Sequence, residues 1–177
     1  MQKKVNGIII QNKVIFESDR LITLLSLEKG RFNVLAKYAA KSKKRFAGRL
    51  LLFNEIAAQI NIKNKLPQLL DCHLLTHHSV LSSHYNALCL AGYCAQLITK
   101  ITIEYQHIPK LYHCYKTTLK NIQSNPNNYQ VIKKEFETSL LYIEGLTHNS
   151  TQPLSPTIIK EKLHDYIGHN IPEPQWL

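Results

Sequence analysis

The sequence predicts an α+β protein in which a barrel of five antiparallel strands (residues 1–75) is followed by an all-α helical domain (residues 76–177). The first part contains five short segments rich in Ile, Val and Leu, with no room for crossover helices between them. After Thr76 the spacing of apolar residues changes from two to about 3.6, which indicates helices. With 44% hydrophobic and 19% charged residues, the composition is typical of folded globular proteins rather than disordered ones.

The five strands are predicted at residues 5–16, 21–27, 31–40, 50–62 and 66–75. The second and third are joined by Glu28-Lys29-Gly30, which is typical of a hairpin because glycine accepts a positive φ without strain. A small closed barrel of five strands favours the OB-fold, an architecture that often binds nucleic acid. An SH3-like barrel fits the same pattern.

Four helices are predicted, at residues 81–98, 109–124, 127–145 and 155–167. The first is apolar on nearly every side, which predicts a central, buried helix. Pro109 is suited to open the second, and Gly145 to end the third.

The net positive charge of the chain comes entirely from residues 1–66. Residues 1–66 hold ten Lys and four Arg against four carboxylates, a net charge of +10, whereas residues 67–177 hold eight Lys against eight carboxylates. This asymmetry predicts a localised site for a polyanion.

The centre of that charge is residues 37–49, here called the basic loop, which carries six cations, two aromatic side chains and no carboxylate. Cationic side chains gain free energy from counterion release when they neutralise phosphates, and an aromatic ring beside them can stack on an unpaired base. The pattern therefore predicts a nucleic-acid surface with little internal packing. The predicted contacts are Lys37, Tyr38, Lys41, Lys43, Lys44, Arg45, Phe46 and Arg49.

Catalysis, cofactors and metals are not expected. The common nucleotide, metalloprotease and nucleophile motifs are absent from the sequence. Cys72, Cys89, Cys94 and Cys114 form no Cys-x-x-Cys pair and are expected to be reduced and packed, although a zinc site made of thiolates and nearby histidines is an alternative. The longest apolar run has nine residues, short of the roughly 18 to 20 that span a bilayer, and no signal peptide is evident, so we expect a cytoplasmic protein without membrane contact.

Six segments of the first 53 residues form a pattern that is specific in combination: Gly7-Ile8-Ile9-Ile10, Glu17-Ser18-Asp19-Arg20-Leu21-Ile22-Thr23-Leu24-Leu25, Glu28-Lys29-Gly30, Ala36-Lys37, Lys41-Ser42-Lys43 and Leu50-Leu51-Leu52-Phe53. With these segments the chain resembles the RecO family of bacterial DNA repair proteins. The resemblance implies an N-terminal OB-fold on a helical domain. It also implies a non-enzymatic, nucleoid-associated recombination mediator that binds single- and double-stranded DNA and anneals complementary strands. Its partners would be the single-strand-binding protein and RecR, with which it helps to load RecA.

By position, the resemblance places the cations of the basic loop on DNA and gives Glu17, Asp19 and Arg20 a structural role in the first loop. Two departures stand out. Tyr38 occupies the position where the family has glycine, and residues 147–153 replace the four-cysteine zinc module that many members carry.

Three hypotheses follow. The first is the DNA-binding mediator, in which Lys116 and Lys120 could receive the acidic tail of the single-strand-binding protein. The alternatives are an OB-type RNA-binding or ribosome-associated protein, and an adaptor whose cations contact an acidic protein.

Overall fold

The computed structural model of the chain describes residues 1–42, 44–63, 65–148 and 154–168. The chain divides into two compact units. The first unit consists of Met1–His78 and Ile103–Tyr112, and the second of Ser79–Thr102 together with the remainder after Tyr112.

The first unit is a closed five-stranded barrel in the order β1-β2-β3-β5-β4. Its strands are β1 (Gln2–Ile15), β2 (Asp19–Ser26), β3 (Gly30–Ala36), β4 (Glu55–Asn61) and β5 (Gln68–Thr76). The predicted α+β class, with an N-terminal five-stranded sheet followed by helices, is confirmed. Strand four begins five residues later than predicted, because residues 50–54 form turns rather than strand.

The prediction that all strands are antiparallel is wrong at one place. β3 and β5 pair in parallel, with Leu35 opposite Gln68, whereas the other four neighbouring pairs are antiparallel. The reason is geometric: strand directions cannot alternate all the way around a ring with an odd number of strands. Closure of five strands therefore requires at least one parallel pair.

β1 is long enough to pair with both of its neighbours. Residues 2–8 pair with β4 and residues 7–15 with β2, and the register shifts between Ile9 and Gln11. A shift of this kind inserts an extra residue and bends the strand. It also explains why Ile8, Ile9 and Ile10 are all buried although side chains normally alternate across a strand. The polar residues that follow continue the strand instead of ending it.

The second unit is helical. Its elements are α1 (Ser79–Ser83), α2 (Tyr85–Ile101), α3 (Pro109–Ser124, whose first residues belong to the barrel unit), α4 (Tyr129–Ile143) and α5 (Pro156–Ile167). α2 buries residues on several sides, as its composition predicts. Ser155 caps α5 by accepting a hydrogen bond from the Ile158 backbone N–H at 3.3 Å. Among the described residues, none of the helices combines the length and apolar character needed to cross a membrane.

The segment Ile103–Tyr112, which the sequence assigns to the helical domain, packs on the barrel. The Tyr105 ring stacks on Phe32 with centroids 5.6 Å apart, and the Tyr105 backbone N–H donates to the Arg31 carbonyl at 2.8 Å. Asn33 Nδ2 donates to Glu104 Oε1.

The end of the segment is held by Tyr112, whose hydroxyl donates to the buried Glu55. Both burial and this neighbouring carboxylate raise the pKa of Tyr112.

Gly30 permits this packing. Its φ is +67°, and a Cβ placed on it would lie 1.8 Å from the Gln106 carbonyl oxygen. Both the backbone conformation and the contact therefore require glycine at this position.

Gly30→Ala is expected to destabilise the protein by about 2–3 kcal/mol, because it adds backbone strain and a clash with main chain that cannot move aside. The matched control is Gly48→Ala, since Gly48 also has a φ of +67° but nothing within 4 Å of the added Cβ. That control should cost only about 1 kcal/mol. Urea unfolding of both variants measures the difference, and equal losses would show that segment 103–112 does not constrain Gly30.

Candidate nucleic-acid interface

The basic loop connects β3 to the turns before β4 and is anchored by apolar side chains. Ala39 and Phe46 of the loop, with the following Leu50, belong to the buried cluster inside the barrel, and each is less than 10% exposed. The expectation that the loop has little internal packing is therefore wrong. Burying a Phe ring contributes about 1.5–3 kcal/mol, enough to hold a surface loop in place.

The start of the loop is fixed by the turn between β1 and β2. Asp19 Oδ1 accepts a hydrogen bond from the Tyr38 backbone N–H at 2.8 Å, and the Ser18 carbonyl accepts one from the Ala40 N–H at 3.0 Å. Tyr38 has a φ of 55°, the left-handed conformation that glycine adopts most easily. Tyr38 thus keeps the backbone conformation that glycine favours, and Asp19 holds the start of the basic loop through the Tyr38 N–H.

Ser42 and the arginines organise the middle of the loop. Ser42 Oγ accepts hydrogen bonds from the backbone N–H groups of Arg45 and Phe46 at 3.2 and 3.3 Å. The Arg45 guanidinium lies 4.4 Å above the Phe46 ring centroid and donates to the Lys37 carbonyl at 2.8 Å. The basic loop therefore closes on itself over its own buried aromatic ring.

The end of the loop is held by side-chain donors. Arg49 Nη1 donates to the Cys72 and Arg45 carbonyls at 2.8 and 3.1 Å, and it lies 3.7 Å from Asp71 Oδ1. The buried Asn54 donates to the carbonyls of Gly48 and Arg49 at 3.2 and 3.1 Å. Satisfying loop carbonyls in this way fixes the path of the chain as it enters β4.

Arg20 lies at the edge of a pocket next to the loop. The pocket has a volume of about 230 Å³, and its lining includes Asn12, Arg20, Ser42 and Gly48. Arg20 Nη1 donates to Asn12 Oδ1 at 3.0 Å, and Asn12 Nδ2 donates to the Leu50 carbonyl. Arg20 therefore braces Asn12, which holds the turn after the basic loop, and it adds a cation to this end of the barrel.

The structure separates the predicted contact residues into groups. Lys37, Tyr38, Lys41, Lys44 and Arg45 are exposed, whereas Arg49 is partly buried and engaged with the loop and β5. Phe46 is 3% exposed, so its ring offers no free face to a base in this structure. Lys43 lies outside the described residues. In the second unit, Lys116 is half-buried and Lys120 exposed, one turn apart on α3.

The cysteines are all free, with Cys72 and Cys94 buried and Cys89 and Cys114 half-buried. Burial raises the pKa of the Cys72 and Cys114 thiols to about 11, and it raises the pKa of Cys94 well above its ordinary value. Thiols of this kind are protonated at neutral pH and are poor nucleophiles and ligands. Within the described ranges, no three His, Cys, Asp or Glu side chains come together as a metal site would need.

The sequence alone gave no signal for two features of this site. The amides of Asn12 and Asn54 form long-range hydrogen bonds to loop carbonyls, which no local spacing indicates. Phe16 lies in the turn between β1 and β2 and is 86% exposed, next to residues that brace the basic loop.

Asp19→Ala is expected to loosen the start of the loop, because the Tyr38 N–H loses a charged acceptor. We expect a loss of stability of about 1 kcal/mol and faster tryptic cleavage after Lys41 and Lys44. Glu17→Ala is the matched control, since it removes the same charge from an exposed residue two positions earlier, in the turn before β2. Cleavage mapped by mass spectrometry measures the effect, and equal rates in the two variants would contradict the bracing role of Asp19.

Comparison with known proteins identifies the barrel. Residues 1–78 match the family model described as recombination protein O N terminal. The DNA repair protein RecO of Pelobacter propionicus is 26% identical over 144 residues, which cover 81% of this chain and 58% of that protein. RecO of Geobacter sulfurreducens is 26% identical over 132 residues, which cover 73% of this chain and 53% of that protein. RecO of Listeria monocytogenes is 28% identical over 144 residues, which cover 81% of this chain and 56% of that protein.

The chain therefore spans a little over half the length of these curated relatives. The family match ends at residue 78, two residues after the last strand, β5. The alignments with the relatives are longer and continue into the helices. The resemblance noted in the sequence is confirmed: residues 1–78 form a RecO N-terminal domain, and most of the chain is similar to proteins named DNA repair protein RecO.

Proposed function

We propose that this chain binds single- and double-stranded DNA through the basic loop and acts as a non-enzymatic recombination mediator in DNA repair. It would anneal complementary strands and, with the single-strand-binding protein and RecR, help to load RecA. The observation that supports this most directly is the group of exposed cations Lys37, Lys41, Lys44 and Arg45 on one anchored loop. The RecO N-terminal domain match and the similarity to RecO proteins over most of the chain support the assignment to DNA repair.

Charge and anchoring together favour a nucleic acid as the partner. Each cation that neutralises a phosphate releases condensed counterions, so a cluster of cations binds any sequence. Association also costs conformational entropy when loops become ordered, and this cost falls when a loop is already held by packing and hydrogen bonds. The burial of Ala39 and Phe46, with the contacts from Asp19, supplies that order before DNA arrives.

The barrel itself supports the same proposal. We assign it to the OB type, because it has five strands closed in the order β1-β2-β3-β5-β4. OB barrels bind oligonucleotides with one face and the adjoining loops. Arg20 and the basic loop lie together at one end of this barrel, so the proposed DNA path combines strand and loop residues.

Replacing Lys37, Lys41 and Lys44 together by Gln should weaken DNA binding for all sequences. The slope of log K against log salt should become shallower by about two units for a single strand, because three phosphate contacts are lost. Lys63→Gln with Lys65→Gln is the control, since both residues are exposed cations of the same unit outside the loop. The measurement is fluorescence anisotropy of labelled DNA at several salt concentrations.

Three results would contradict the proposal. An unchanged salt slope in the loop variant would remove the loop from the site. Displacement of bound DNA by structured RNA at much lower concentration than by DNA would favour the RNA-binding hypothesis. Absence of polynucleotide binding at low salt would favour an adaptor that contacts acidic proteins.

For the protein partner we propose Lys116 and Lys120, which lie one turn apart on α3. Cations spaced in this way can contact neighbouring carboxylates of an acidic tail. Lys116→Ala with Lys120→Ala should slow annealing of complementary strands coated with single-strand-binding protein, while leaving annealing of bare strands unchanged. Equal slowing of both reactions would contradict a partner role and point to DNA contact instead.

A further inference from the structure

We infer that Phe16 and Tyr38, here called the aromatic pair, stack on unpaired bases and give the basic loop a preference for single-stranded over duplex DNA. The inference rests on the proposed function and adds to it a specificity element. The sequence patterns did not single out Phe16, and charge alone does not distinguish the two forms of DNA.

The aromatic pair is unusually exposed. Phe16 is 86% exposed, more than any other large hydrophobic residue in the described part of the chain, and Tyr38 is 67% exposed. Exposed apolar residues are common singly, but two aromatic rings beside a group of cations form a surface that a planar, anionic polymer can cover. Lys37 and Lys41, both exposed, flank Tyr38 in the chain.

The backbone conformation of the pair has no explanation in packing. Four non-glycine residues of the described chain have positive φ: Phe16, Tyr38, Phe53 and Tyr105. Phe53 is 3% exposed, and Tyr105 stacks on Phe32, so burial or stacking offsets the strain of these two. Phe16 (φ 53°) and Tyr38 (φ 55°) are held in the same strained conformation while their rings remain exposed. Asp19 holds the Tyr38 backbone, but packing of neither ring offsets the strain, and residues in strained conformations cluster at binding sites.

Hydrogen bonds bring the two turns that carry the pair to one end of the barrel. Phe16 directly follows β1, where Ile15 pairs with Asp19. Asp19 in turn accepts from the Tyr38 backbone N–H, and the adjacent Ser18 carbonyl accepts from Ala40. The positions of both aromatic residues are therefore fixed by the same four-residue stretch, residues 16–19.

The chemistry of stacking supplies the preference. In a single strand each base has free faces, which an aromatic side chain can cover regardless of base identity. In a duplex those faces are already stacked on neighbouring pairs, and exposing one requires unstacking. Phosphates are present in both forms. The cations of the basic loop thus contribute to binding of either form, while the aromatic pair contributes only where bases are unpaired.

The test compares Phe16→Ala, Tyr38→Ala and the double variant for binding to an oligothymidylate and to a duplex of equal length. Alanine keeps a Cβ, so the backbone strain is unchanged and the ring alone is lost. Each single variant should lose about tenfold in affinity for the oligothymidylate and little for the duplex, with an unchanged salt slope. Ile103→Ala is the matched control, because Ile103 is 73% exposed in the same unit but has no ring.

A second measurement reports stacking directly. The chain has one Trp, so Phe16→Trp in a Trp176→Phe background leaves a single indole at the site in question. Oligothymidylate should quench its fluorescence strongly, and the duplex should not. Far-UV circular dichroism confirms that each variant is folded.

The outcomes are distinct. In one outcome the wild-type protein binds both DNAs and the alanine variants keep its ratio of affinities for the oligothymidylate and the duplex. The aromatic pair then does not select unpaired bases, so the inference is overturned while the proposed function stands. If the wild-type protein binds neither DNA, the proposed function fails and the inference with it. A loss of affinity confined to the oligothymidylate, with both affinities unchanged in Ile103→Ala, supports the inference.

Discussion

The burial of Phe46 in the barrel is the interaction on which the rest of the interface depends. A loop with this density of cations would repel itself and move freely in water if nothing held it. The Phe46 ring packs in the same cluster as Val34 and Ile56, and the Arg45 guanidinium lies over that ring. One aromatic side chain therefore connects the stability of the barrel to the position of its charges.

The closure of the barrel imposes the second constraint. Five strands cannot alternate around a ring, and because the other four neighbouring pairs are antiparallel, β3 and β5 run in parallel. β5 thus lies between β3 and β4 in the barrel. The chain leaves β3, forms the basic loop, passes through β4 and returns as β5. The connection from β3 to β4 has to pass β5 and so cannot be a tight hairpin turn, and this connection carries the cations.

Sequence patterns predicted the class of the fold and much of its order. Apolar segments and Gly30 marked the strands and the β2–β3 hairpin, and the periodicity after Thr76 marked the helices. These signals are local, which is why they succeeded. The parallel pair and the packing of Tyr105 on Phe32 depend on residues far apart in the chain, so no local pattern could indicate them.

The candidate site shows the same difference between what local sequence signals indicate and what long-range contacts decide. The sequence identified the cations of the basic loop because charge is visible in composition, but composition cannot tell which members of the loop are engaged internally. Arg49 looks like a phosphate contact in the sequence, yet its guanidinium is engaged with two carbonyls and Asp71. Phe46 looks like a stacking residue, yet the barrel buries it. Only the three-dimensional contacts separate anchors from exposed groups.

This separation explains why the exposed aromatic residues matter more than their number suggests. Cations attract every polyanion, and adding more of them increases affinity without increasing discrimination. A protein that meets both paired and unpaired strands needs a group whose contribution depends on whether bases are free. In this barrel the aromatic ring that anchors, Phe46, and the rings that remain exposed, Phe16 and Tyr38, are different residues. Discrimination can therefore change at the exposed positions without loosening the loop that carries the charge.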